Sequence, residues 1–168
     1  NRILILLLTL NLLLSCSYDP IFVNEKSDFK FTKIKSSGVT EVNEVVKDIL
    51  TKKSYGDIEY NISFESEKNI EVVTSNQKGD PTVFEMLVIV DYIIFKNGKV
   101  VLTNQIKKRD VYNNIKDKFE LLKYEENILT NISNNISNEI LMSMRTLSKW
   151  LLNHTNLKNL KVKIQIFS

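Results

Sequence analysis

The stretch VFEMLVIVDYIIFKNGKVVLTNQI, residues 83–106, decides the fold. Residues 83–95 are apolar on both faces of an extended chain, with two acidic interruptions, which predicts a long central strand. Asn97-Gly98 is typical of a two-residue hairpin turn, in which both residues take positive φ. We therefore predict that residues 100–106 return as the partner strand and that residues 107–110 close the hairpin.

Two more strands and a helix are predicted before this hairpin. Residues 28–35 begin with a brief alternation that indicates a first strand. Apolar residues from 42 to 50 recur at the one-face spacing of an amphipathic helix, with Thr40 as its expected N-cap. Residues 58–64 alternate between apolar and polar, which predicts a half-buried strand. After a polar connection, residues 70–74 continue that strand past a bulge or bend.

A long second helix is predicted to begin near Asp117. Between residues 128 and 151 its apolar residues step by three or four along one face, whereas asparagines and serines occupy the other face. Residues 153–156 are expected to end this helix. Residues 157–167 then alternate between apolar and polar, which predicts either a last strand or a tail that binds a sheet edge.

These elements predict an α+β fold. We expect a two-layer sandwich in which a mainly antiparallel four-stranded sheet carries two helices on one face, with an additional strand at the C-terminus. Residues 28–168 are enough for one domain with a core of ordinary size.

The first residues have the layout of a secretory signal peptide. Arg2 precedes an apolar run, residues 3–14, that is shorter than the roughly 20 residues a membrane span needs. Leu13-Leu14-Ser15-Cys16 resembles the lipobox of bacterial lipoproteins, in which the cysteine is lipidated and becomes the first mature residue. We therefore predict a signal peptide over residues 1–15 and a lipidated tether over residues 16–27. The alternative is an ordinary signal sequence with a chance cysteine.

Lipidation at Cys16 would decide where the protein is located. Each methylene that an acyl chain buries in a bilayer contributes about 0.8 kcal/mol, so two or more chains anchor a protein stably. Ser17 occupies the position where an aspartate retains lipoproteins in the inner membrane of enteric bacteria. The expected location is therefore the outer membrane.

The composition gives little support for catalysis, metal binding or nucleic-acid binding. The formal net charge of +3 includes Arg2, so the basic pI is poor evidence for a nucleic-acid partner. A lipidated Cys16 leaves no thiol for a disulfide or a metal site. His154 is the sole histidine, lies in the expected polar loop, and has no supported nucleophile partner. We therefore expect no catalytic residue, no metal and no cofactor, and an enzyme is the weaker hypothesis.

A basic cluster is the first candidate binding feature. Lys107, Lys108 and Arg109 are predicted at the end of the hairpin's second strand, where they could donate charge-assisted hydrogen bonds to the phosphates of an anionic lipid. Lys99, at the opposite end of that strand, is a weaker member of the same site. The alternative is a solvated strand end whose charges protect a sheet edge.

The second candidate is apolar. Tyr18, Ile21 and Phe22 follow Cys16 directly, and they could pack into a partner protein or contact the membrane interface.

The N-terminal motif and the order of elements resemble the LPS-assembly lipoprotein family, LptE. Alphaproteobacterial members begin Cys-Gly-Phe, one variable residue, then Pro-Leu-Tyr. Here the corresponding stretch is Cys16-Ser17-Tyr18-Asp19-Pro20-Ile21-Phe22, with serine in place of the glycine. The resemblance in element order covers nearly all of the mature chain, except that residues 157–167 depart from the family pattern.

This resemblance implies a non-catalytic role at the periplasmic side of the outer membrane. Members of the family insert into the lumen of the β-barrel translocon LptD, help it assemble, and bind lipopolysaccharide on its way to the cell surface. The rival hypothesis is a periplasmic lipoprotein that binds a small apolar ligand or serves as accessory subunit of a lipid-transport ATPase. A wide pocket between helix and sheet would favour the rival, and a filled core would favour the plug.

Overall fold

The structure, a computed structural model, describes residues 27–166, and the side chains of residues 27–151. The predicted signal peptide and nearly all of the predicted tether lie outside the described residues. In chain order the elements are β1 (Phe29–Gly38), α1 (Thr40–Lys53), β2 (Ile58–Ser75), β3 (Pro81–Lys96), β4 (Lys99–Asn113) and α2 (Lys118–Ile166).

The four strands form one sheet in the order β1-β2-β3-β4. β1 runs parallel to β2, and α1 makes the crossover between them, as parallel neighbours require. β2, β3 and β4 form an antiparallel meander. Both helices lie on one face, where α1 packs on β1 and α2, and α2 packs on β3 and β4. The predicted α+β fold is thus confirmed, with a mixed sheet.

The core lies between the helices and one face of the sheet. Alternate residues of β2 and β3 point to this face, because side chains along a strand alternate between its two sides. The apolar stripe of α2 covers them, and its central residues Ile136, Ile140 and Met144 are fully buried. Burying each such side chain contributes about 1.5–3 kcal/mol.

A side chain of β2 stabilises the start of α1, and the expected N-cap, Thr40, does not. The N-cap is Val39, one residue before Thr40, and it makes no side-chain capping bond. Instead, the Val39 N–H donates to Ser66 Oγ at 2.9 Å, and that hydroxyl donates to Asn43 Oδ1 at 2.8 Å. Asn43 Nδ2 in turn donates to the Ser37 carbonyl at 3.1 Å. A buried serine on β2 therefore fixes where α1 begins.

The turn between β3 and β4 is the predicted one. Asn97 has φ 51° and Gly98 has φ 75°, so both lie in the left-handed region that a two-residue hairpin turn needs.

Two strands are longer than predicted. β2 is continuous from residue 58 to 75, so residues 65–69 are strand and not a connection. β4 continues through residues 107–110 to Asn113. The cause is β3, because its long run supplies backbone partners to both neighbours along its whole length. On the extended parts of these strands, Glu67, Lys107 and Arg109 lie on the side of the sheet away from the helices, whereas Lys68 and Lys108 lie on the helix side.

The C-terminal prediction is wrong. α2 continues through residues 153–156, and residues 157–166 are helical, so they do not form an additional strand. No glycine or proline occurs between residues 118 and 166, so nothing in the sequence forces the helix to end. Over the described residues, neither helix combines the length and apolar character needed to cross a membrane.

Gly38 is predicted to be the least replaceable glycine. It has φ +94°, and a Cβ there would lie 1.9 Å from the Ser66 carbonyl oxygen. Gly38→Ala should destabilise the fold by about 3 kcal/mol, since it adds a clash to backbone strain. Urea unfolding followed by circular dichroism measures this change.

Gly79→Ala is the matched control. Gly79 also has positive φ, +89°, but a Cβ there would meet nothing within 4 Å. It should therefore show only the backbone cost of about 1–2 kcal/mol. Equal losses in the two variants would contradict a clash at Ser66.

Candidate functional site

One face of the sheet is covered by neither of the described helices, and we call it the open face. Its four strands carry different side chains. These are basic on β1 (Lys33, Lys35), acidic on β2 (Glu65, Glu67, Glu71), largely apolar on β3 (Leu87, Ile89, Ile93) and basic on β4 (Lys107, Arg109). The charged members are exposed, whereas Leu87 and Ile89 are half-buried between the charged rows. The open face is therefore of mixed charge, and it also exposes apolar side chains, since Ile93 is 37% and Val111 54% exposed.

The predicted basic cluster is divided between the two faces of the sheet. Lys107 and Arg109 lie on the open face, where Arg109 Nη1 is 3.8 Å from Glu85 Oε2. Lys108 points to the helix side and its Nζ lies 2.5 Å from Glu139 Oε2 on α2. The cause is strand alternation: β4 continues through these residues, so neighbours in sequence cannot share a face.

The structure does not bring Lys99 to this cluster. Lys99 is the first residue of β4, and Lys107 lies eight positions further along the strand, about 26 Å away. The sequence had indicated that the cluster lies at the end of β4. In the structure it lies inside the strand, which continues to Asn113. Because β4 is an outer strand, the alternative role of protecting a sheet edge still applies to these charges.

The remaining predicted positions lie outside the described side chains. Cys16, Tyr18, Ile21 and Phe22 precede residue 27. The backbone of residue 154 is part of α2 and not of a polar loop. Within the described part of the chain, no group of three or more acidic, histidine or cysteine residues is arranged to hold a metal ion.

A groove at the far end of the helix layer was not predicted from the sequence. β1 pairs with β2 only as far as the Gly38–Ser66 pair, and α1 begins directly after it. β2 extends nine residues beyond Ser66 to Ser75, so α1 does not reach the helix side of this part of the strand. The result is a groove of about 430 Å³, which we call the distal groove. Its lining residues are Glu41, Glu44, Val45, Lys68, Met86, Leu122, Glu125, Glu126, Leu129 and Thr130.

The distal groove continues into exposed apolar surface. Leu122 is 59% exposed, and Phe119, one turn earlier on α2, is 76% exposed. On β2, Ile70 and Val72 pair with Met86 and Phe84, so they lie on the same side of the sheet, and they are 37% and 51% exposed. Exposed apolar side chains beside a groove are typical of interaction sites.

The rim of the groove is acidic. Glu41 and Glu44 come from the first turns of α1, and Glu125 and Glu126 come from α2, against one lysine, Lys68. In the part of the chain that the structure describes, the ion pairs do not include Glu41, Glu44 or Glu126. The groove therefore carries an uncompensated negative charge.

An aromatic cluster connects β4 to the start of α2 next to the groove. The ring of Tyr112 stacks on Phe84 at 5.7 Å and meets Tyr124 edge-on at 6.1 Å. Tyr112 Oη donates to Glu125 Oε1 at 2.6 Å. Burial raises the pKa of Tyr112, and the bond to Glu125 raises it further. This bond holds one of the groove's carboxylates in place.

Elsewhere the space between helices and sheet is filled. Large apolar side chains, including Val88, Val90 and Ile94 of β3, are fully buried against the helices. The groove is open and lies at one end of this layer, beyond the packed centre. The sequence signals for it were the early apolar residues of α2, Phe119 and Leu122, which precede the main apolar stripe.

No protein-family model matches the sequence, and no curated protein matches it. Solved structures do match in fold. The chain is similar to rare lipoprotein B from Shewanella oneidensis, with a TM-score of 0.55 and 15% identity over 71% of this chain and 98% of that one. It is also similar to an uncharacterized lipoprotein B from Nitrosomonas europaea, with a TM-score of 0.55 and 17% identity over 76% of this chain and 90% of that one. At these identities the similarity establishes a shared fold.

Replacing Tyr112 should loosen the start of α2. Tyr112→Phe keeps the ring contacts but removes the hydrogen bond to Glu125, so it should lower the free energy of unfolding by about 1.5 kcal/mol at neutral pH. Tyr60→Phe is the matched control. The Tyr60 hydroxyl is buried, and within the described residues it has no hydrogen-bond partner, so its removal should cost nothing.

The same pair of variants has a pH signature. The folded pKa of both Tyr112 and Tyr60 is raised above the usual 10.0, so above pH 10 each tyrosine loses its proton more readily in the unfolded chain than in the folded one, and the free energy of unfolding falls as the pH rises. In urea titrations at increasing alkaline pH, each variant should lose less stability than the unmodified chain. An unchanged pH dependence in Tyr112→Phe would contradict the assignment.

Proposed function

We propose that the chain is an outer-membrane lipoprotein that plugs and helps to assemble an LptD-like β-barrel translocon, and that it assists lipopolysaccharide transport to the cell surface. One observation carries this proposal. The stretch Cys16–Phe22, which resembles the start of LptE-family proteins, precedes a domain whose fold matches those of two bacterial lipoproteins. The lipid at Cys16 holds the domain at the periplasmic side of the membrane.

The surface of the domain supports a role inside a barrel. Barrel interiors that are not packed solid are polar and water-filled, so a plug needs polar faces of mixed sign. The open face has this character, since acidic β2 lies between basic β1 and basic Lys107 and Arg109 on β4. The filled centre between helices and sheet supports a rigid plug in preference to a carrier with a ligand cavity.

A second candidate function is favoured by the distal groove. A periplasmic lipoprotein that binds a small apolar ligand, or an accessory subunit of a lipid-transport ATPase, would use a groove of about 430 Å³ with apolar walls. Its acidic rim favours a neutral or cationic ligand over a phosphorylated lipid. The identity of the partner that co-purifies with the protein distinguishes the two candidate functions.

The decisive experiment is an affinity purification of the lipidated protein from detergent-solubilised outer membranes, with partners identified by mass spectrometry. We expect an LptD-like β-barrel in a stoichiometric amount. A Cys16→Ser variant is the control, because it lacks the lipid and should lose the outer-membrane location and recover less barrel. Recovery of inner-membrane transporter subunits, or of no partner, from correctly lipidated protein would reject the plug and favour the second candidate.

Lipopolysaccharide binding is expected to depend on the open-face cations. In a Lys107→Glu, Arg109→Glu variant, the lipopolysaccharide that co-purifies should fall about threefold to tenfold, because two charge-assisted donors to phosphate become repulsive. Lys47→Glu with Lys123→Glu, which reverses two exposed helix lysines, is the matched control and should retain it. An equal fall in co-purified lipopolysaccharide in the control would show that binding depends on the net charge of the protein and not on Lys107 and Arg109. Lys108 is tested separately, since it lies on the helix side of the sheet, where it pairs with Glu139.

A further inference from the structure

We propose that the outer edge of β2 over residues 67–72 binds an extended segment of another polypeptide as an additional strand, and that this segment alternates basic and apolar residues. We call this stretch the free edge. The inference is independent of the proposed function, because it rests on the strand pairing of β2 and on the side chains beside it. The contact needs only one copy of this chain, so it is compatible with a single-copy plug.

Beyond Ser66, β2 has a neighbouring strand on one side only. β1 pairs with β2 as far as the Gly38–Ser66 pair, whereas β3 continues beside β2 to its end. Within the described residues, no strand pairs with residues 67–72 on the side that β1 occupies earlier. The pairing with β3 has no register shift before Val72, so this stretch is regular strand. Such an edge is a template for a further strand.

One hydrogen bond shows which backbone groups face outward. The Val39 N–H donates to the Ser66 carbonyl at 3.3 Å, so the backbone groups of Ser66 point to the β1 side. Along a strand, residues two apart direct their N–H and C=O groups to the same side. The N–H and C=O groups of Lys68, Ile70 and Val72 therefore point outward from the free edge. In the described part of the chain, the backbone hydrogen bonds of turns and loops do not involve them.

On the helix side, the free edge is mainly apolar. Ile70 and Val72 are exposed there, and a strand beside them would cover them with apolar side chains, which removes apolar area from water. Lys68 lies on the same side and lines the distal groove together with Glu41 and Glu44. An added strand would therefore place apolar residues on the helix side.

On the open face, the free edge is acidic. Glu67 and Glu71 are exposed there, with Asn69 between them. The ion pairs among the described residues include neither glutamate. A basic residue opposite either carboxylate forms a favourable cross-strand pair, whereas an acidic residue is repelled. The fitting segment therefore places basic residues on the open face and apolar residues on the helix side, as strand alternation allows.

The charge of the free edge favours a different polypeptide as the occupant. The predicted tether, residues 16–26, contains one lysine and two acidic residues, so it lacks the required positive charge. Residues 160–166 alternate in the sequence, but they are part of α2 and are helical, so they are not an extended segment. A second copy paired through the same edge would bring its own Glu67 and Glu71 to a surface that is already acidic.

Binding of a synthetic peptide tests this contact. The probe has the sequence Lys-Val-Lys-Val-Lys-Val-Lys and a fluorescent label, and it is titrated with the lipidated full-length protein in a neutral detergent. Fluorescence anisotropy should show saturable binding. The matched control is the peptide with glutamate in place of every lysine. It should bind at least about tenfold more weakly, because its carboxylates would face Glu67 and Glu71.

Backbone methylation of the probe distinguishes a paired strand from a peptide that is held by its side chains alone. In a paired strand, alternate N–H groups point to the neighbouring strand and the others point away. One probe is methylated on its valine nitrogens and the other on its lysine nitrogens, so only one of them loses the N–H groups that face β2. That probe should bind at least about tenfold more weakly than the other.

A proline variant tests the backbone of the free edge. Ile70→Pro removes an outward N–H, and proline is tolerated on an edge strand where its nitrogen faces solvent, so this variant should fold. Ile70→Ala is the matched control, because it shortens the side chain but keeps the N–H. Ile70→Pro should bind the lysine–valine probe at least about tenfold more weakly than Ile70→Ala.

Charge reversal tests the acidic side of the free edge. Glu67→Lys with Glu71→Lys should lower the affinity for the lysine–valine probe about tenfold or more, because attractive cross-strand pairs become repulsive. Glu59→Lys with Glu65→Lys is the matched control. It makes the same charge change on the part of β2 that pairs with β1, so it should retain binding.

Five results would overturn the proposal. These are the absence of saturable binding of the lysine–valine probe, equal affinity of the two methylated probes, equal binding by Ile70→Pro and Ile70→Ala, and an equal loss of affinity in the two charge-reversal variants. The fifth is self-association of the full-length protein that Ile70→Pro abolishes, since this would assign the free edge to a second copy.

Discussion

The structure depends on covering one face of the β2–β3–β4 meander. β3 is flanked by strands on both sides, so its backbone groups are satisfied, but the alternate apolar side chains of its helix side need a covering layer. α2 supplies most of it through one continuous stripe, in which Ile136, Ile140 and Met144 are fully buried. Asparagine and serine are weak helix formers, so this packing, and not intrinsic propensity, stabilises the helix.

A difference in strand length produces the most distinctive surface of the molecule. β1 ends opposite Ser66, and the hydroxyl of Ser66 fixes the start of α1 through Val39 and Asn43. β2 continues beyond that point with β3 beside it, so the sheet is longer than the layer that α1 can cover. The distal groove is the space that remains. Of its glutamates, Glu41 lies in the first turn of α1, where negative charge is favourable.

The two faces of the sheet have different properties for recognition. The open face exposes charged side chains of both signs over a large area, which suits contact with a polar, hydrated surface. Near the groove, the helix side exposes apolar surface beside carboxylates of a single sign, which suits a smaller and more specific contact. Neighbouring residues 107–109 contribute to both faces, because a strand directs successive side chains to opposite sides. A binding site on one face of this sheet therefore contains every second residue of each strand.

The sequence by itself determined the element types, because periodicity and turn chemistry are local. The alternation of residues 58–64, the Asn97-Gly98 turn and the apolar face of α1 are each confirmed. The sequence-based prediction was wrong at residues 157–166, where the alternation of apolar and polar residues resembled a strand. α2 continues through them, because no glycine or proline interrupts the helix. Only the tertiary structure decided how far each strand extends, which face Lys107, Lys108 and Arg109 occupy, and that a groove exists. These features depend on which strands pair and where one ends before its neighbour, and such relations join residues that are distant in the chain.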